Sequence, residues 1–116
     1  MGYGLRYLGH RCPPESAIKP WYFLAELELT TGSTIPVPPG GLTLGRGANA
    51  GVRVASNGIA RAHALVREVD GRLVATDLGT TNGTRVNGAD ITERTVEVGD
   101  TLTLAFYFDF EIVAMP

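Results

Sequence analysis

The chain has 116 residues, a formal net charge of -2 and 15 glycines, a glycine share of roughly 13 per cent against a usual share of about 7 per cent. That length suits one domain burying roughly two thirds of its unfolded surface and argues against two complete domains. With 10 basic against 12 acidic side chains and 44% hydrophobic residues, the composition is not that of a disordered chain. It also lacks the basic surplus of a dedicated nucleic-acid binder.

Cys12 is the single cysteine, so no intrachain disulfide is expected. The first residues lack an apolar signal core, and no apolar run approaches the roughly 18 residues of a membrane span. The expectation is a soluble, cytoplasmic chain without contact to membrane or nucleic acid.

Along the chain, residues 5–8 read as an extra strand, and Pro13-Pro14 as a break. Residues 21–30 end in alternation, with Leu27 and Leu29 on one face and Glu26 and Glu28 on the other. Period two means a strand with one buried face. Residues 34–38 contain Pro36 and Pro38. Proline cannot donate to a ladder, so this strand belongs at a sheet edge. Short strands follow at 42–44, 52–54, 62–69 and 73–76, the last two joined by Asp70-Gly71 as a hairpin tip. Asn57-Gly58 and Asn87-Gly88 mark further turns, and Val96 to Val98 leads into a turn at Gly99-Asp100. Residues 101–104 and 106–113 close the chain, and Phe106, Phe108, Phe110 and Ile112 are expected to share one core face. No window is long and amphipathic enough for a confident helix. Many short strands with turns every 8–12 residues or so predict an all-β sandwich or barrel.

Enzyme signatures are scarce. No Gly-x-Ser-x-Gly elbow occurs, and His10, His63 and Cys12 have no zinc-site spacing. Gly40 and Gly45 imitate P-loop spacing, but Arg46-Gly47 stands where lysine and Ser/Thr are needed. Cys12 with His63 is the one conceivable nucleophile pair, supported by residue type alone. No metal or other cofactor is expected. The stronger constellation lies in three polar loops: Gly45-Arg46, then residues 57–63, then residues 77–88. Loops at one end of a sandwich gather on one surface. Two arginines, hydroxyls and an amide gathered there suit an anion-binding, peptide-gripping site.

The motifs in these loops are Gly45-Arg46, Ala60-Arg61-Ala62-His63, Asp77-Leu78-Gly79-Thr80-Thr81-Asn82-Gly83-Thr84, Val86-Asn87-Gly88 and Gly99-Asp100. In order and spacing they resemble a forkhead-associated (FHA) domain, from about residue 21 to residue 113. The resemblance implies a β-sandwich of two twisted, mostly antiparallel sheets with about eleven short strands. It leaves residues 1–20 as an N-terminal extension or extra strand, with the domain proper at 21–116. It further implies a non-catalytic module that binds phosphothreonine in a partner protein, such as a Ser/Thr kinase target. Oligomeric state is left open.

Residue by residue, the resemblance gives Arg46 the phosphate, Arg61 a second positive contact, Thr80 and Thr81 the phosphothreonine loop, and Asn82 the peptide backbone. Gly45, His63, Asp77 and Gly83 support the loops. One position departs from the pattern: the family's phosphate-binding serine is Ala60 here. A hydrogen bond to a charged group is worth about 1.5–3 kcal/mol, so its loss weakens binding about ten-fold or more. The alternative is a degenerate domain that assembles without phosphate. The plain readings beside these are a carboxylate partner or bulk solvent for Arg46 and Arg61, and turn geometry alone for Asn82-Gly83.

Overall fold

A computed structural model describes residues 2–10, 26–27, 31–55 and 58–116. The expectations for Trp21, Cys12, Asn57 and most of residues 21–30 therefore lie outside the described residues. Those described contain twelve strands and no helix. In chain order they are β1 (Gly2–His10), β2 (Glu26–Leu27), β3 (Thr34–Pro36), β4 (Leu42–Gly45), β5 (Val52–Ala55) and β6 (Ala64–Val69). Then come β7 (Arg72–Asp77), β8 (Thr84–Val86), β9 (Ala89–Asp90), β10 (Glu93–Val96), β11 (Thr101–Leu104) and β12 (Phe108–Met115).

They form two six-stranded sheets, ordered β3-β1-β12-β11-β8-β9 and β10-β7-β6-β4-β5-β2. Every pairing is antiparallel except β4 with β5. The all-β, two-sheet expectation holds. Proline-bearing β3 takes an edge position, as its missing N–H requires.

Alternation builds the core. On β12, Phe108, Phe110 and Ile112 point inward, and they meet Leu5 and Tyr7 of β1, Leu44 of β4, Val66 of β6 and Leu73 of β7. β1 pairs with β12 along nearly its whole length and lies between β12 and β3. Residues 2–10 are thus an internal strand of this sheet, with Leu5 and Tyr7 buried in the core.

Phe106 corrects the expected core face. It is 50% exposed, because the chain reverses between β11 and β12. Ala105 adopts φ 55°, and the Tyr107 N–H donates to the Leu104 carbonyl. Phe106 thus falls in the turn, off the strand whose parity it shares. Val98 likewise sits exposed in the turn after β10, which ends at Val96.

Candidate functional site

Three inter-strand segments meet at one end of the sandwich: the stretch after β4, residues 58–63 before β6, and residues 78–83 between β7 and β8. Backbone hydrogen bonds stitch the first to the second. The His63 N–H donates to the Leu44 carbonyl at 2.8 Å, Arg46 N–H to Ala60 at 2.8 Å, and Gly47 N–H to Arg61 at 3.0 Å. The closeness depends on Gly45. A Cβ there would lie 2.2 Å from the Arg61 carbonyl oxygen, far inside van der Waals contact.

His63 ties the second segment to the third. It is fully buried. Its Nδ1 accepts from the Ala60 N–H at 3.1 Å, and its Nε2–H donates to the Gly83 carbonyl at 2.7 Å. A backbone donor on one nitrogen and an acceptor on the other select the neutral Nε2–H tautomer. Burial pushes the His63 pKa below its ordinary 6.5, outweighing the Gly83 carbonyl and the Asp77 charge, which both favour the proton. His63 is therefore a structural brace, with no nitrogen left for a ligand.

Asp77 organises the third segment. Oδ1 accepts from the Thr80 hydroxyl at 2.7 Å and the Thr84 hydroxyl at 2.8 Å. Oδ2 accepts from the backbone N–H groups of Gly79 and Thr80, each at 3.1 Å. Burial by itself would raise the Asp77 pKa, but these hydrogen bonds together hold it below the ordinary value. Thr84 is buried on β8, so this carboxylate also joins the end of one sheet to the start of a strand in the other. The Thr80 oxygen accepts from the Gly83 N–H at 3.0 Å. Thr80 is half-buried and its only hydroxyl proton goes to Asp77, which places it among the supports and leaves it no donor for an anion. Thr84 is a further member of this frame, and its place at the end of the Asp77 to Thr84 motif is the signal that the sequence carries for it.

The remaining predicted residues line the surface of this frame. Arg46 and Arg61 are exposed, and neither forms an ion pair among the described residues. Arg46 Nε donates to the Ile59 carbonyl at 3.1 Å, which lays its guanidinium across the second segment. Thr81 is exposed, with no side-chain hydrogen bond among the described residues. Asn82 Nδ2 donates to the Gly58 carbonyl at 2.8 Å, leaving its second N–H and its carbonyl oxygen for another partner. Ala60 is half-buried, and both its backbone polar groups are used, by His63 and Arg46. An open cleft of about 500 Å³ between residues 47–50 and Arg61-Ala62 adjoins the site.

These segments fall within residues 42–105, which match the family model for the FHA domain, more than half of the chain. The chain belongs to the FHA domain family. Solved FHA structures share its fold. One, from a structural and functional analysis of phosphothreonine-dependent FHA domain interactions, has a TM-score of 0.73 at 23% identity, covering 100% of this chain and 99% of that one. The FhaA FHA domain complexed with the intracellular domain of Rv3910 has a TM-score of 0.68 at 24% identity, covering 95% and 98%. EmbR of Mycobacterium tuberculosis, in complex with a low affinity phosphopeptide, has a TM-score of 0.70 at 20% identity, covering 99% of this chain and 25% of that one. No curated protein matches the chain.

Two FHA motifs prove structural. Asn87, at φ 51°, accepts from the Thr101 N–H through Oδ1 at 2.9 Å and donates from Nδ2 to Asp100 at 3.0 Å. The other Asp100 oxygen accepts from the Glu97 N–H at 2.8 Å. Those two hydrogen bonds, from Glu97 and then Asn87, hold the Asp100 pKa low. Val86-Asn87-Gly88 and Gly99-Asp100 thus clamp two turns together. Among the described residues, no three His, Cys, Asp or Glu side chains are placed to hold a metal, and no helix is long and apolar enough to cross a membrane.

Proposed function

We propose that this FHA domain is a non-catalytic recognition module that binds phosphothreonine-containing segments of a partner protein, such as a cytoplasmic Ser/Thr kinase target. The observation that carries this reading is the pair of exposed arginines, Arg46 and Arg61, without carboxylate partners among the described residues. They flank segments braced from beneath by His63 and Asp77. A guanidinium fork suits phosphate oxygens, and a site held in place before binding loses less entropy on ordering. Arg46 takes the phosphate, Arg61 and Thr81 add contacts, and Asn82 offers its free N–H and carbonyl to the peptide backbone. Thr80, Gly45, Gly83, His63 and Asp77 hold the frame.

Calorimetric titration with a phosphothreonine peptide and its unphosphorylated counterpart tests the reading. A clear preference for the phosphopeptide, lost in Arg46→Ala, is expected; equal affinity would falsify it. Ala60→Ser restores a hydroxyl donor and is expected to tighten phosphopeptide binding about ten-fold.

Ala60 favours a second reading, assembly without phosphate. The backbone at this position has no unused polar group to stand in for the missing hydroxyl. Under that reading, Ala60→Ser and Arg46→Ala leave the domain's associations unchanged in light scattering.

A further inference from the structure

Arg85 has no part in the site as described above. On β8 it stands between Thr84 and Val86, both buried, so alternation turns it to the outer face of the sheet. Its side chain is only 18% exposed, because it is enclosed by partners. Nη1 donates to the main-chain carbonyl of Asn82 at 3.2 Å and to that of Ala105. Nη2 pairs with Asp90 of β9 at 3.0 Å, and the centre of the Phe106 ring lies 3.8 Å from the guanidinium carbon. Both terminal nitrogens and one flat face are engaged, and Asp90 offsets the charge. Arg85 is therefore spent on the protein, unlike Arg46 and Arg61.

Ala105 anchors this arrangement. It is buried in the turn between β11 and β12, at φ 55°. Its N–H donates to the Gly83 carbonyl at 2.9 Å. Two consecutive carbonyls of the third segment are thus tied to one buried residue, Gly83 directly and Asn82 through Arg85. His63 and Asp77 brace the same segment from within and bond to its other residues. The Asn82 side chain reaches the Gly58 carbonyl at 2.8 Å. Holding the Asn82 carbonyl fixes the peptide plane beside its Cα, and so the direction in which that side chain leaves the backbone. A side chain ordered in advance loses less entropy on binding.

We propose that Arg85 is a positioning residue for phosphopeptide recognition: it clips the Asn82 carbonyl to the turn between β11 and β12 and so presents the Asn82 amide to the bound peptide. This rests on the phosphothreonine reading above and adds to it a residue on the outer face of the sheet.

The test is calorimetry with a phosphothreonine peptide and its unphosphorylated counterpart. The proteins are wild type, Arg85→Met, Asn82→Ala, Arg61→Ala, and Arg85→Met combined with each of the last two. Arg85→Met is expected to weaken phosphopeptide binding about five-fold, the worth of one side chain that must be ordered on binding. That loss vanishes on the Asn82→Ala background and persists on the Arg61→Ala background. In the free domain, the Asn82 side-chain amide protons lose protection from exchange in Arg85→Met and keep it in Arg61→Ala. Unchanged affinity in Arg85→Met, or the same loss on both backgrounds, overturns the positioning role; a merely structural part would lower affinity on every background alike. A phosphopeptide that fails to outbind its unphosphorylated counterpart overturns the phosphothreonine reading instead, and exchange at the Asn82 amide still tests the clip. Should Arg85→Met fail to fold, Arg85→Lys keeps the charge beside Asp90 but loses the planar fork, and it goes through the same cycle with the same two outcomes.

Discussion

Gly45, His63 and Asp77 show how single side chains, or the lack of one, set the geometry of the binding end. Gly45→Ala drives a methyl into the Arg61 carbonyl at 2.2 Å. Backbone on both sides leaves no flexible group to yield, so urea denaturation is expected to show a loss of about 1–3 kcal/mol. Asp77→Ala strands the hydroxyls of Thr80 and Thr84 and two backbone N–H groups. About 2–4 kcal/mol is expected to be lost in the same measurement, since bonds to an ionised acceptor are strong and Thr84 is buried. His63 sets a pH dependence. Its pKa is lower in the folded protein than its ordinary 6.5, so the unfolded chain takes up a proton first as pH falls. Stability from this residue is complete above about pH 6.5, falls by at most about 1.4 kcal/mol per pH unit below it, and levels off beneath the folded-state value. Urea midpoints at pH 7.5 and 5.5 are expected to differ for wild type. The difference shrinks in His63→Asn, which begins less stable but no longer titrates there.

Turns do more here than reverse the chain. The turn after β8 carries Asn87, whose side chain reaches across to Thr101 and Asp100. Asn87→Ala removes both bonds and places alanine at φ 51°; about 1–2 kcal/mol is expected to be lost in thermal or urea unfolding, with phosphopeptide affinity unchanged. Asp70-Gly71, also at positive φ, ends a hairpin whose Gly71 carbonyl accepts from the Tyr3 hydroxyl of β1 at 2.9 Å, a tie made by the backbone and not by the turn's side chain. The two turns look alike as sequence, Asn-Gly and Asp-Gly, and only the second element each one meets tells them apart. The turn between β11 and β12 adds a contact that periodicity hid. Arg85 lies 3.8 Å over the Phe106 ring and pairs with Asp90 at 3.0 Å. Alternation counted Phe106 into the core because it cannot see where a strand begins.

The sandwich as a whole depends on its first strand. β1 lies between β3 and β12 and buries Leu5 and Tyr7. A chain starting at residue 21 would expose one edge of β12, leave β3 without its partner and open the core. Cooperative thermal unfolding of that truncated chain is expected to be lost, along with phosphopeptide binding. Local patterning shows residues 5–8 only as a short strand, because the β12 partners of residues 2–10 lie 98 to 113 positions away, beyond any local signal. The loops were legible for the opposite reason. Glycine, asparagine and aspartate at tight turns are local requirements of the backbone, and five motifs in order survive without knowledge of packing.

Local chemistry therefore determined much from the sequence alone. Period-two alternation and turn residues specified an all-β chain, proline specified the edge position of β3, and motif order specified the family and the loops that carry Arg46, Arg61 and Asn82. What only the tertiary structure decided was the division of labour among those loops. Thr80 and Thr81 are neighbours with the same side chain, yet one hydroxyl is spent on Asp77 and the other faces outward. Arg46 and Arg61 are spaced along the chain like ordinary surface charges, yet the hydrogen bonds that stitch the stretch after β4 to residues 58–63 set their backbones side by side. Hydrogen-bond partners and unpaired charge depend on which distant residues become neighbours, and that is settled only when the two sheets close.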